Sequence, residues 1–94
     1  MLLPINGPPT HPGRMITFGW LEETGMTPEE LAGRMNRPLS EIEDLLAGRI
    51  SCSAEHALLL ADALNTEPDF WISAQGMYDM WFAWQKLEGH LVAN

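Results

Sequence analysis

From Arg14 onward the apolar positions recur at helical rather than strand spacing. Met15, Ile16, Trp20 and Leu21 fall on one stripe and Gly25 supplies a left-handed stop, which predicts a first helix over 14–24. Gly19 weakens its interior by about 1 kcal/mol relative to Ala, and Phe18 falls toward its outer face. The next start is marked chemically. Thr27 as N-cap, Pro28 at the first helical position and Glu30 three residues after the cap form a capping box, with Met26 and Leu31 spaced for a hydrophobic staple. This second helix, Pro28 to about Met35, is separated by "NRP" from a third that has Ile42, Leu45 and Leu46 on its inner face and stops at Gly48. Two short helices across a tight turn predict a helix-turn-helix.

Ser53 then caps a fourth helix, with Ala57, Leu60, Ala61 and Leu64 at helical spacing and Asn65 at its end. With Thr66 as cap, a last helix is expected from about Pro68 to Leu87, where Phe70, Ala74, Met77, Trp81 and Trp84 lie near a 3.5-residue seam beside Trp71, Tyr78 and Phe82. An aromatic seam is first of all core. A small domain cannot fully bury four tryptophans, one tyrosine and three phenylalanines, however, so a second copy of the chain is expected to cover part of it. Trp71, Met77, Tyr78, Trp81 and Trp84 are the expected homodimer interface, with Phe18 and the Leu58/Leu59 pair extending the exposed apolar surface.

Ahead of these helices, residues 1–13 hold four of the seven prolines and two of the eight glycines, a composition that favours an extended arm. The expected organisation is thus an arm over 1–13 and one helix-turn-helix domain over 14–94 that ends in a dimerisation helix. "MLLPINGPPTHPG" is broken by Pro and Gly before a signal-peptide core develops, and no window approaches a membrane span. With a single Cys52 there is no intramolecular disulfide and no multi-cysteine zinc site, so a cytoplasmic, non-membrane protein is expected.

Charge narrows the partners. The 94 residues carry 13 Asp and Glu against 5 Lys and Arg, a net charge of −8, which repels nucleic acid and anionic membrane and attracts basic proteins. Catalytic chemistry is hard to assemble from what remains. Glu22/Glu23, Glu29/Glu30 and Glu41/Glu43 sit one or two residues apart on helices, do not share a face, and read as solvated surface. His11, His56 and His90 show no metal-binding spacing and read as surface or helix-end residues. Cys52 has no evident partner histidine, and no glycine-rich phosphate loop follows a strand. No enzyme activity, cofactor or metal is expected.

Taken together, "HPG" at 11–13, "GMTPEELAGRM" at 25–35, "SEIEDLLAG" at 40–48, "SAEHALLLADALNTEPDFW" at 53–71 and "Q..YD.W" at 75–81 resemble the HigA-type antitoxins, also called the virulence-associated protein I or plasmid-maintenance antidote family. The resemblance runs over residues 11 to about 84. It implies a five-helix, lambda-repressor-like domain and a homodimer that neutralises a small basic HigB-like ribonuclease toxin and represses the shared operon. A stand-alone helix-turn-helix regulator with no toxin is the alternative.

One stretch departs from the family pattern. In "RPLSEIEDLLAGRIS" the outer face of the third helix offers Leu39, Ser40, Glu41, Glu43 and Asp44, where small polar or basic residues are usual, flanked by Arg37 and Arg49. These seven are the expected operator contacts. Arg37 and Arg49 would hold phosphates and Ser40 would approach base edges, while the acids oppose the backbone. The other reading is a solvated face that has lost DNA binding.

Overall fold

The computed structural model describes residues 7–92, with side chains as far as Glu88; residues 1–6 of the expected arm and the His90 side chain lie outside the described residues. The described residues form five helices and no strand, in an elongated body of 51 × 22 × 20 Å.

Helix α1 covers 12–24 and is continuous through three segments, Pro12–Ile16, Thr17–Leu21 and Glu22–Thr24. It begins at Pro12, ahead of the expected Arg14. The His11 Nδ1 accepts the Gly13 backbone N–H at 2.9 Å, and Pro12 occupies a first-turn position where its missing N–H costs nothing. Gly13 is required for a different reason: a Cβ there would overlap the Leu45 carbonyl, so the start of α1 and the end of the third helix meet backbone to backbone. "HPG" is therefore a cap, a helix start and a close approach. The middle segment, Thr17–Leu21, is a π-helical turn in which the Glu22 N–H reaches the Thr17 carbonyl.

Helix α2, Pro28–Met35, carries the expected capping box: Thr27 Oγ1 accepts the Glu30 N–H at 3.1 Å and Glu30 Oε1 accepts the Thr27 N–H at 3.3 Å. Asn36, at φ 54°, ends it and turns the chain into α3, Leu39–Leu46, which Gly48 closes at φ 75°. Helix α4, Ala54–Leu64, opens on a second reciprocal cap between Ser53 and His56 and ends at Asn65, φ 56°. Helix α5, Pro68–Val92, has 25 residues and at about 1.5 Å per residue is about 37 Å long. Thr66 is not its cap. Its hydroxyl instead accepts the Trp71 indole N–H at 2.7 Å. Among the described residues no helix is long and apolar enough to cross a membrane.

The core gathers Ile16, Leu31, Met35, Ile42, Leu45, Leu60 and Trp71, one or two from every helix. Each contributes about 1.5–3 kcal/mol by leaving water. On α5 the buried stripe is Trp71, Gln75 and, half-buried, Tyr78, one residue round from the expected seam; Phe70 and Met77 stay 42% and 39% exposed. The Thr66 hydroxyl explains the offset, because it satisfies the one polar atom of the largest side chain and lets Trp71 be buried completely.

Candidate nucleic-acid interface

Helix α3 is the second helix of the helix-turn-helix, and Ile42 and Leu45 anchor its inner face in the core. Outward it presents Ser40 and Glu43, followed by Ala47 just past its end. The other expected contacts are differently placed. Leu39 is half-buried against the core, where it seats the helix rather than facing solvent. Glu41 is also half-buried: its Oε2 lies 2.7 Å from His56 Nε2 and 3.8 Å from Arg37 Nε. Arg37 in turn pairs with Glu55 at the start of α4.

These contacts correct one expectation and sharpen another. Glu41 is not simply solvated surface, since it ties the recognition helix to α4. His56 is the helix-end histidine of the two alternatives, in the first turn of α4, and is buried there. Its Nδ1 accepts the Ser53 N–H at 3.2 Å, which leaves the proton on Nε2 to be donated to Glu41. His11 is buried as well, its ring set edge-on against Tyr78 at 4.9 Å.

At the far end of α3, Arg49 Nε meets Asp44 Oδ1 at 2.8 Å across the Gly48 turn. The Arg49 side chain remains 63% exposed and that of Asp44 44% exposed. A pair this open contributes about 0–1 kcal/mol, so a phosphate can replace Asp44 at little cost. Arg37 is held between two carboxylates with 26% of its side chain exposed, and Arg34 Nη1 lies 3.5 Å from the Ala63 carbonyl of α4. Of the two arginines flanking α3, Arg49 is thus the more exposed and the less tightly paired.

The loop behind this face is fastened by residues that periodicity did not single out. Gln75 Oε1 accepts the buried Cys52 N–H at 2.7 Å, and Gln75 Nε2 donates to Asp79 at 2.9 Å. His11 lies against Gly48, where a Cβ would come within 3.5 Å of its ring. "HPG" and "Q..YD" therefore meet around residues 48–52 and hold the segment that carries Arg49. Cys52 is buried, and desolvation pushes its thiol up to about 11, so it remains a protonated SH.

Of the residues expected at a homodimer contact, Met77 is exposed and Tyr78, Trp81 and Trp84 are half-buried. Trp71 is corrected: with 0% exposure it has no surface to offer a second chain. Phe18 and Leu58 are exposed, while Leu59 packs on the core.

Over 73 residues the chain is 33% identical to antitoxin HigA-1 of Vibrio cholerae, a match that spans 78% of this chain and 69% of that protein. The chain belongs to the HigA family of antitoxins. A second relative, the uncharacterized HTH-type transcriptional regulator YbaQ of Escherichia coli, is 29% identical over 73 residues, 78% of this chain and 65% of its own length. The chain thus spans about two thirds of these curated relatives. Among solved structures, antitoxin GraA superposes with a TM-score of 0.86 at 27% identity, covering 94% of this chain and 95% of GraA. A Pseudomonas aeruginosa antitoxin HigA, solved with the higBA promoter, shares the fold at a TM-score of 0.83 and 24% identity over 88% of this chain and 90% of that one. No protein-family profile matches the sequence. The HigA fold as it stands here thus has a helix-turn-helix whose recognition helix carries its own acids, two of them already paired.

Proposed function

We propose that this HigA-family chain acts without catalysis in the cytoplasm, as a homodimer that binds an adjacent-gene HigB-like toxin and represses their common operon. Operator contact is assigned to Ser40 at the start of α3 and Arg49 after its end. The observation that carries it is the Arg49–Asp44 pair, exposed and therefore exchangeable for a phosphate. A P. aeruginosa HigA of the same fold, solved with the higBA promoter, supports DNA binding as such. Glu41 and Arg37 serve the junction of α3 with α4, and Asp44 partners Arg49, which leaves Glu43 as the acid of α3 that opposes DNA.

Fluorescence anisotropy of the upstream promoter fragment tests the operator half. Binding at low salt that weakens on Arg49→Ala is expected, and absence of binding by the unmodified chain overturns it. Co-purification with the adjacent gene product tests the toxin half. The similarity to YbaQ favours a second reading, a regulator without a toxin; promoter binding combined with no captured product selects it.

A further inference from the structure

An open groove of about 430 Å³ runs between α1, the start of α2 and the end of α3. Leu21, Met26, Pro28, Leu46 and Ala47 make its apolar lining, and Glu22 and Glu43 stand on its rim. Among the described residues neither rim carboxylate makes an ion pair or a side-chain hydrogen bond, a state they share with other surface acids such as Asp62 and Glu67; what sets them apart is their place beside an apolar floor. Glu23 and Glu29, the chain neighbours of the lining residues Glu22 and Pro28, are exposed too, and no Lys or Arg lines the groove.

Resting on the antitoxin reading, we propose that this groove is where the toxin docks. Its occupant is a segment of that protein in which Lys or Arg side chains flank one or two apolar residues. The apolar floor takes the aliphatic residues and the stems of the basic side chains, whose charged ends reach Glu22 and Glu43 at the rim. Charge complementarity selects this occupant over a second copy of the chain, which carries a net charge of −8 and would bring like charge to an acidic rim. It also gives Glu43 a purpose. The acid that opposes phosphate on the recognition helix is the one turned to this groove, where a cationic protein partner would meet it.

The full chain is titrated with the purified product of the adjacent gene, with association followed by calorimetry at low and high salt. The double variant Glu22→Gln/Glu43→Gln should weaken binding about three- to tenfold at low salt, the effect shrinking at high salt. Ala47→Arg, which adds a cation at the groove, should weaken it as well. A control that removes two exposed carboxylates elsewhere, Glu67→Gln/Asp69→Asn, should leave affinity within about twofold. Circular dichroism should show all variants folded, since every altered side chain is exposed. If the unmodified chain does not bind the product, the antitoxin reading fails and the groove assignment fails with it. If it binds and the groove variants bind as tightly, the groove alone is refuted. A change in oligomeric state on altering the groove, with toxin affinity intact, would make the occupant a second copy and overturn the proposal.

Discussion

Gln75 on the long helix accepts the backbone N–H of Cys52, a contact of 2.7 Å across 23 positions of sequence that closes the loop behind the recognition helix. Removing it leaves a buried donor without a partner, which costs about 1–3 kcal/mol. Gln75→Ala should lower the unfolding free energy by that amount. Hydrogen exchange at Cys52 should accelerate by more than at the α2 amides, and equal acceleration throughout would show the contact to be unimportant locally.

Gly13→Ala should be more severe. The added methyl group meets the Leu45 carbonyl, so α1 and α3 must separate, at about 3 kcal/mol or more. Gly19→Ala, a substitution with nothing within 4 Å, should be neutral or stabilising by up to about 1 kcal/mol. Thermal melts of the two variants give the comparison, and a Gly13→Ala melt equal to the unmodified protein would refute the close approach.

Burial lowers the pKa of His11 from its ordinary 6.5, against opposing contributions from the Ile50 backbone hydrogen bond and the Asp79 charge. Its Nδ1 must be unprotonated to accept the Gly13 N–H. As pH falls below about 6.5 the unfolded chain takes up the proton first, so stability present above that value is lost as pH drops through the lower folded pKa. His11→Asn keeps a cap acceptor without a titrating group and should flatten the slope of unfolding free energy between about pH 7.5 and 5. An unchanged slope would assign the acid sensitivity to other groups.

Two tryptophans should behave differently from a third. Trp71→Ala empties the centre of the core and should cost about 3–5 kcal/mol, whereas Trp81→Ala and Trp84→Ala should leave a folded chain with weakened self-association. Sedimentation of each variant separates these outcomes. A monomeric unmodified protein at micromolar concentration would remove α5 as a dimerisation helix.

What could be read from the residues alone was local. Thr27 and Glu30, Gly25, Asn65, and Ile42 with Leu45 act on neighbours within a turn or two, and their spacing carries the signal. The helix-turn-helix and the five-helix order followed from them. The use of Gln75 and Glu41 was not legible, because each serves a partner distant in sequence, and a polar residue on the inner side of a helix has no periodic signature of its own; His11 caps locally, but its packing on Gly48 and Tyr78 is equally remote. The seam of α5 was expected one residue off, and Trp71 at a dimer contact, because the Thr66 hydroxyl that allows its burial lies outside the helix. The pairing of Asp44 with Arg49 was missed because Gly48 reverses the chain between them.

That last pair alters the economics of searching a genome. Arg49 carries an internal counterion, so under the proposed operator contact a phosphate would displace Asp44 rather than enter an empty positive site, and the net electrostatic gain from any one stretch of backbone would be small. With −8 on the whole chain, sliding on arbitrary duplex is disfavoured. Residence then depends on base contacts and duplex shape that only the correct site supplies. A repressor working as proposed would occupy few wrong sites and forgo the long-range attraction that speeds the arrival of basic ones.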